Sequence, residues 1–396
     1  FEIANPTKEQ ITQVVELTTM DAMRRSNCAV AREFYLLDAD RNEVPYQITY
    51  DGKVLVLASV RPGSSITLTM YKGQPQDYVL TANGRIYPNR WDDLVWENDR
   101  VAWRFYGPEA HKHMKNTAYG FDTFVKNTPY PVQDQLYHNE LTSYGVNEQM
   151  KRDHTPLNWN EVHRGYTYHR NHGSGMDAYT VGATLGAGAA ALLHNGELVY
   201  PLYYETARIL DNGPLRFTVE MTMPALPASV VGGSSTDSIR EHRLISQDCG
   251  THFARVEITY DGLSTSLPVC TGIVVHESAP DAYVLNKKEG FIAYAEALDH
   301  PETMNGQHYL GAFIPQSKDT KVKGDYSPLT EKRAGGVGHA LGGAYADAHA
   351  RKGAGADTHG NAIQFFLFQV CHPQNLLPHM ERSEEHTSEL QSLAYL

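Results

Sequence analysis

The chain has few cysteines and no long apolar run. Only 4 of its 396 residues are Cys, and no two of them have the Cys-x-x-Cys spacing typical of a metal site. Cys249 and Cys270 lie on neighbouring predicted strands, so two outcomes are open: a disulfide or two buried thiols. No apolar stretch reaches the roughly 18 residues of a membrane helix, which predicts no membrane span.

An excess of positive charge is also absent. The formal net charge is −12 at pH 7, so we expect no nucleic-acid partner. The sequence has no Gly-x-Ser-x-Gly elbow, no P-loop and no Gly-x-Gly-x-x-Gly fingerprint after a strand, which disfavours serine hydrolases, NTPases and dinucleotide enzymes. The chain begins at Phe1 rather than Met, from which we expect that a leader has been removed.

The residues that are abundant favour β-structure. The 32 Gly, 20 Pro and 24 Tyr favour turns and strands over long helices. Segments such as Arg216–Met223 and Arg255–Tyr260 alternate apolar with polar side chains, as half-buried antiparallel strands do. Strand candidates follow one another without intervening helices. This pattern predicts an all-β fold, with a small β-sandwich-like domain in residues 1–80 and a large sandwich in residues 85–340.

The C-terminal part does not continue this pattern. The stretch from Gly335 to Ala356 is rich in Gly, Ala and His without a strand or helix period. Residues 341–381 are therefore left as a natural loop or a frameshifted region. From Arg382 to Ser392 the sequence RSEEHTSELQS matches the translation of a common sequencing adapter, so we predict that residues 382–396 are an artefact.

The stretch from His163 to Leu193 carries the densest group of polar side chains, followed by a small apolar run. Burying such groups is costly, so the pattern is typical of a site mounted on a β scaffold. Its imidazoles could act as acid, base or metal ligand. His169 and His172 with Asp177 form one potential ligand set for a divalent ion. A direct acid–base or substrate-binding role and a purely structural loop are the alternatives.

A second candidate segment runs from Arg90 to Gly107, where three Trp stand among carboxylates and guanidiniums. This mixture is typical of a sugar-binding site, since aromatic rings stack on the C–H faces of a sugar and charged groups bind its hydroxyls. Alternation predicts that Arg100, Arg104 and Tyr106 share one face, where two Arg could fork a carboxylate. The alternative is a strand whose Arg residues pair with nearby acids. Similarly, Tyr119, Asp122 and Lys126 could line the same cleft or belong to a core strand.

These blocks resemble a bacterial family catalogued as domain of unknown function four-eight-six-one. The matching segments are RWDDLVWENDRVAWRFYGP at 90–108, YGFDTFVKNTPYPV at 119–132, YHRNHGSGMDAYTVGATLGAGAAALL at 168–193, ILDNGPLRFTV at 209–219 and RLISQDCGTHF at 243–253. The resemblance covers roughly residues 1 to 315 and fades after about Gly338, where the family's aromatic C-terminal strands are not recognisable. It implies a galactose-mutarotase-like β-supersandwich. It also implies a periplasmic or secreted protein, encoded beside enzymes that degrade pectin, ulvan and other uronate-rich glycans.

The combined prediction is a carbon–oxygen lyase whose partner is an acidic oligosaccharide, such as a pectin or ulvan fragment. It would eliminate a sugar or water across C4–C5 of a uronate. This requires neutralisation of the C6 carboxylate, a base for the C5 proton and an acid for the leaving oxygen. The candidate catalytic residues are His169, His172, Tyr168 and Asp177. The candidate substrate-binding residues are Asn98, Arg100, Arg104, Trp96, Tyr106, Lys126, His163 and Arg164.

Three other functions stay open. A glycoside hydrolase would use paired carboxylates such as Glu97 and Asp177. A mutarotase-like epimerase would use a His and a carboxylate, and a glycan-binding protein would have no turnover. The one cofactor considered is a divalent metal ion held by His169, His172 and Asp177.

Overall fold

The fold is built mostly of antiparallel strands, which confirms the predicted all-β class. A computed structural model describes residues 1–26, 33–113, 119–155, 158–182, 184–265, 267–276, 279, 282–286, 290–296, 307–314, 337–340, 346–348 and 363–372. The predicted artefact at 382–396 lies outside these residues. No helix in the described part is both long enough and apolar enough to cross a membrane.

The N-terminal part forms three small sheets around a core of its own. Its elements are β1 Glu2–Ala4, β2 Ile11–Thr19, α1 Met20–Arg25, β3 Phe34–Leu37, β4 Glu43–Val44, β5 Tyr46–Ile48, β6 Lys53–Val60, β7 Ser65–Thr67 and β8 Thr69–Lys72. The sheet orders are β2-β6-β5, β4-β3-β8 and β1-β7. The Gln47 side chain joins this part to the following one: its Nε2 donates to the Arg216 carbonyl, and its Oε1 accepts from the Leu215 and Arg216 amides.

A five-stranded sheet and most of the helical residues follow. The elements are β9 Asn83–Tyr87, β10 Asp93–Glu97, β11 Ala102–Phe105, α2 Pro108–His113, β12 Asp122–Lys126, α3 Gln133–Arg152, α4 Trp159–Arg164 and β13 Gly175–Asp177. The strand order is β13-β12-β11-β10-β9, with all neighbours antiparallel.

Alternation gives this sheet two different faces. Leu94, Trp96 and Trp103 join the main apolar core. Val95 and Phe124 point the other way and pack against residues of α3 and its surroundings. The second face therefore also carries the polar side chains that alternate with the core residues, and it forms the site described below.

Helix α3 was not predicted, because its 20 residues are mainly polar and its buried stripe is thin. Its N-terminal amides are satisfied from far away in sequence. The buried Glu97 carboxylate accepts from the Val132 amide at 2.9 Å and from the Gln133 amide at 2.9 Å. The helix start thus depends on a residue about 35 positions earlier, which local capping signals do not reveal.

The large sandwich contains the remaining strands. They are β14 Ala187–His194, β15 Glu197–Val199, β16 Thr206–Asn212, β17 Arg216–Thr222, β18 Leu226–Pro227, β19 Ser238–Asp248, β20 Phe253–Asp261, β21 Leu267–His276, β22 Tyr283–Asn286, β23 Phe291–Glu296, β24 Gln307–Phe313, β25 Val337–Ala340, β26 Ala346–Ala348 and β27 Ile363–His372. One sheet has the order β15-β14-β21-β25, with β26 also paired to β21. The nine-stranded sheet has the order β16-β17-β19-β20-β27-β24-β23-β22, with β18 paired to β19.

The structure adds detail at the C-terminal segment and at the cysteines. The segment 341–381 is not without strands: β26 lies in it, and β27 pairs with both β20 and β24 inside the nine-stranded sheet. Its sequence IQFFLFQVCH is an aromatic strand that the low-complexity stretch before it obscures. Cys249 and Cys270 are buried and unpaired with each other, so the buried-thiol alternative is the one observed.

Candidate functional site

A buried polar cluster lies between the five-stranded sheet and α3, centred on Arg104. The Arg104 guanidinium is 4% exposed and binds two carboxylates, Asp122 through Nε at 2.9 Å and Asp177 through Nη2 at 2.6 Å. It also donates to the hydroxyls of Tyr106 at 2.7 Å and Tyr168 at 3.2 Å. The Tyr106 hydroxyl in turn donates to Asp122 at 2.6 Å.

Strand register brings these side chains together. Arg104 on β11 lies directly opposite Asp122 on β12, and Phe124 on β12 lies opposite Asp177 on β13. Directly opposed residues of antiparallel strands share a face, so the two acids flank Arg104 on one side of the sheet. The predicted shared face of Arg104 and Tyr106 is therefore observed, but its partners come from 18 and 73 residues away.

Burial dominates the electrostatics of the cluster. Burial and the nearby Asp177 raise the pKa of Asp122 to about 6, although Arg104 opposes the shift. Burial also raises the pKa of Asp93, and it raises the pKa of Tyr168 to about 12. Tyr168 therefore stays protonated at neutral pH, and its hydroxyl is held between two guanidiniums, since Arg90 Nη2 also donates to it at 3.0 Å.

His169 is the accessible group at the edge of this cluster. Its side chain is 48% exposed, and its Nδ1 lies 3.6 Å from Oδ2 of the buried Asp177. The same carboxylate oxygen accepts a hydrogen bond from Arg104. The orientation of Asp177 is therefore fixed by Arg104 independently of the imidazole. An exposed imidazole backed by a buried, immobilised carboxylate can accept and return a proton at its outer nitrogen.

The other predicted members of this loop face elsewhere. His172 Nε2 lies 3.0 Å from the Thr167 carbonyl, and His163 Nδ1 lies 3.0 Å from the Ser143 hydroxyl. Arg164 is exposed on α4. In the part of the chain that the structure describes, no group of three His, Cys, Asp or Glu side chains is arranged to hold a metal ion. The predicted ligand set of His169, His172 and Asp177 is therefore not assembled, because His172 is turned to the backbone.

The predicted carboxylate-binding set is not assembled either. Arg100 precedes β11 rather than belonging to it, and its guanidinium is exposed and pairs with Asp99. The Asn98 amide instead donates to the carbonyls of Asp248 and Thr251, which fixes the turn after β19. Arg104 is already saturated by its two carboxylates.

Trp96 and Lys126 also have structural positions. Trp96 is fully buried in the main core, with its ring 6.1 Å from that of Phe217, so it is not a sugar platform. The Lys126 ammonium is 1% exposed and donates to Glu97 at 2.6 Å and to the Asn98 carbonyl at 2.6 Å. Glu97 is thus buried against Lys126 and the start of α3, which leaves it no access to act in the hydrolase pair with Asp177.

Arg90 and Trp91 were not singled out from the sequence as individual site residues. Trp91 is 38% exposed, and the Arg90 guanidinium lies 4.8 Å from its ring centroid. Arg90 Nε and Nη1 are buried without a hydrogen-bond partner. The signal was present in the Arg90–Gly107 block, but only the fold shows which of its three Trp is exposed.

A groove of about 560 Å³ lies beside the cluster, between β9 and α3. Arg85, Tyr87, Asn89, Tyr137 and His138 are among its lining residues. The Tyr137 ring lies 5.5 Å from that of Tyr168, so one layer of aromatic rings separates the groove from Arg104. The volume is within the usual range for small-ligand sites.

The solved structures that are similar to this chain include two proteins of Enterococcus faecalis. An alpha-mannosidase from Enterococcus faecalis V583 aligns with 99% of this chain and 44% of its own, with a TM-score of 0.43 and 9% identity. A glycosyl hydrolase family 38 protein from Enterococcus faecalis aligns with 99% of this chain and 46% of its own, with a TM-score of 0.44 and 10% identity.

The curated relative is "Uncharacterized protein P7" of Formosa agariphila. It is 28% identical over 231 residues, which are 57% of this chain and 51% of that protein, so the chain spans about half the length of the relative it matches. The profile of the family described as "Domain of unknown function (DUF4861)" matches residues 3–336. The chain therefore belongs to the DUF4861 family, the family that the sequence blocks from 90–108 to 243–253 resemble.

Proposed function

We propose that the protein is a carbon–oxygen lyase acting on uronic-acid oligosaccharides outside the cytoplasm, with His169 as its acid–base group. The observation that carries the proposal is the exposed His169 imidazole lying against the buried Asp177 carboxylate. The glycan class is supported by the resemblance to a family associated with uronate-glycan degradation. Tyr168 is not retained as base, because it is buried and its hydroxyl is held between Arg90 and Arg104.

In the proposed step, the outer nitrogen of His169 removes the C5 proton of the uronate. The electron pair of that C–H bond forms the C4–C5 double bond while the C4–O bond breaks. The same imidazolium then returns the proton to the leaving oxygen, which departs as an alcohol or as water. Asp177 orients the ring and stabilises its cationic form.

The test is incubation with a panel of uronate oligosaccharides, followed by near-ultraviolet absorbance and mass spectrometry. A lyase gives an absorbing unsaturated uronate, whereas a hydrolase releases reducing ends without that absorbance. His169→Gln should lower turnover by roughly 100- to 10,000-fold. His242→Gln is the matched control. His242, on β19, also lies against an acid, with its Nε2 2.9 Å from Oδ2 of Asp261. Equal turnover in the two variants would remove His169 from the mechanism.

A glycan-binding protein without turnover is the second candidate. It is favoured by the saturation of Arg104, Asp177 and Tyr168 within a closed cluster. Saccharide binding with no change in absorbance or mass for any substrate would support this alternative.

A further inference from the structure

A second groove is lined by residues of β2 and of the nine-stranded sheet. It has a volume of about 310 Å³ and separates β2 of the N-terminal part from the outer face of the nine-stranded sheet. Gln13 and Val14 line one wall. Arg216, Ser246, Phe253, Arg255 and Phe366 are among the residues of the other wall. None of the residues of the Arg104 cluster contributes to it.

Register places the key side chains of this groove in one row across the sheet. Ser246 on β19 lies opposite Arg255 on β20, and Arg255 lies opposite Phe366 on β27. Phe366 is followed on β24 by Phe313, whose ring centroid lies 6.2 Å away. A hydroxyl, a guanidinium and aromatic rings therefore follow one another at strand spacing, about 5 Å apart.

The two guanidiniums in the groove are each paired with one carboxylate but differ in exposure, 18% for Arg216 and 38% for Arg255. Arg216 is paired with both oxygens of Asp248, at 2.5 Å and 2.7 Å, and forms a neutral wall. Arg255 contacts Ser246 at 3.3 Å and Glu257 at 3.1 Å, yet its side chain remains 38% exposed. A guanidinium has five N–H donors, and these two contacts leave some of them unused, so the more exposed Arg255 can bind a further anion.

We propose that this groove binds an anionic sugar residue, as a glycan-binding site separate from the His169 site. Arg255 would bind the carboxylate or sulfate of the sugar. Phe253, two residues before Arg255 on β20, and Phe366, opposite Arg255 on β27, would pack on the apolar C–H face of the sugar ring. Ser246 and Thr251 would reach its hydroxyls. Both halves of this chemistry are needed, since a sugar acid presents an apolar face and a charged edge.

The groove is built rather than incidental. Asp99 Oδ1 accepts from the Gly250 amide at 2.8 Å, and Asn98 holds the Asp248 and Thr251 carbonyls. The turn that forms one end of the groove is thereby fixed by the β10–β11 hairpin. This gives Asn98, predicted as a substrate ligand, a positioning role for the second site.

The experiment is calorimetric titration of the full chain carrying His169→Gln, so that no turnover consumes the ligand. Uronate, sulfated and neutral oligosaccharides are the three ligands. We expect uronate or sulfated ligands to bind, neutral ones to bind at least tenfold more weakly, and Arg255→Gln to weaken anionic binding at least tenfold. Phe253→Leu should also weaken it. Arg208→Gln is the matched control, an exposed Arg paired with Glu220 at 3.0 Å on the sheet edge, and should leave affinity unchanged.

Unchanged affinity in Arg255→Gln, or equal affinity for neutral and anionic ligands, would overturn the proposal. Uronate binding without sulfated binding identifies the carboxylate as the anion. The two proposals fail separately. Arg255-dependent binding without turnover in the wild-type chain would refute the lyase and leave this site standing. Turnover that depends on His169, together with binding that does not depend on Arg255, would refute this second site and support the lyase.

Discussion

Replacing Arg104 with Met should destabilise the fold in a pH-dependent way. Met keeps most of the side-chain volume, but it leaves Asp122 and Asp177 buried at 0% and 2% exposure without a counter-charge. Removing one partner of a buried ion pair costs about 3–5 kcal/mol. We therefore expect the free energy of unfolding to fall by about that amount at pH 8.

The pH dependence follows from the direction of the carboxyl shifts. The pKa of Asp122 is already raised to about 6 in the fold from its ordinary value of 3.8, because Asp122 is buried and lies near Asp177. Arg104 lowers the pKa of Asp122, so this pKa rises further when Arg104 is removed. A carboxyl whose pKa is higher in the folded than in the unfolded state destabilises the native state by about 1.4 kcal/mol for each unit of pKa difference. This destabilisation is complete above the folded pKa and is absent below about pH 4, where the carboxyl is protonated in both states. The deficit of Arg104→Met should thus shrink by at least about 1.4 kcal/mol between pH 8 and pH 5.

Urea denaturation at the two pH values measures this. Val95→Ala is the control, because Val95 lies directly opposite Arg104 and is buried in the same layer but carries no charge. Its deficit should not change with pH. A deficit for Arg104→Met that is below about 1 kcal/mol at pH 8, or equal at both pH values, would refute the ion-cluster account.

Three further outcomes are expected. Glu97→Gln leaves the Lys126 ammonium buried without its acid, so the free energy of unfolding should fall by about 3 kcal/mol. Hydrogen exchange at the start of α3 should become faster, and unchanged exchange there would contradict the capping role of Glu97. Gly175→Ala should destabilise by more than about 2 kcal/mol, since its φ is +123° and a Cβ would overlap the Val125 carbonyl, whereas Gly145→Ala, in open space on α3, should stabilise by roughly 0.5–1 kcal/mol. Burial lowers the pKa of His308 to about 4, so stability should fall by at most roughly 3 kcal/mol as the pH drops from 6.5 to 4, a loss that His308→Gln should flatten in denaturation curves.

Strand positions could be predicted because they depend on local patterns. The alternation of Arg216–Met223 and the β-rich run Lys53–Val60 correspond to β17 and β6 nearly residue for residue. The same alternation also distinguishes the two faces of β10. In β10, Trp96 lies on the face opposite to Val95 and Glu97, so the pattern already placed this Trp in the core rather than in a sugar site.

The partners of the polar residues could not be predicted, because they are distant in sequence. Arg104 meets Asp177 across 73 residues, and Asn98 meets Thr251 across 153. Nothing local distinguishes an Arg that awaits a substrate carboxylate from one already held by two carboxylates of the protein. The cost of burying a charge makes the second outcome the common one whenever acids stand opposite the Arg in register.

The shared carboxylate couples stability to the proposed chemistry. Asp177 Oδ2 accepts from Arg104 on one side and faces His169 Nδ1 on the other, so the orientation of the exposed imidazole depends on a buried ion cluster. Losing His169 removes an exposed ring and should affect turnover alone. Losing Arg104 frees Asp177 to move and should affect both turnover and stability. If Arg104→Met, measured at a temperature where it stays folded, kept full turnover, then Asp177 would not position His169, and the imidazole would act without its carboxylate.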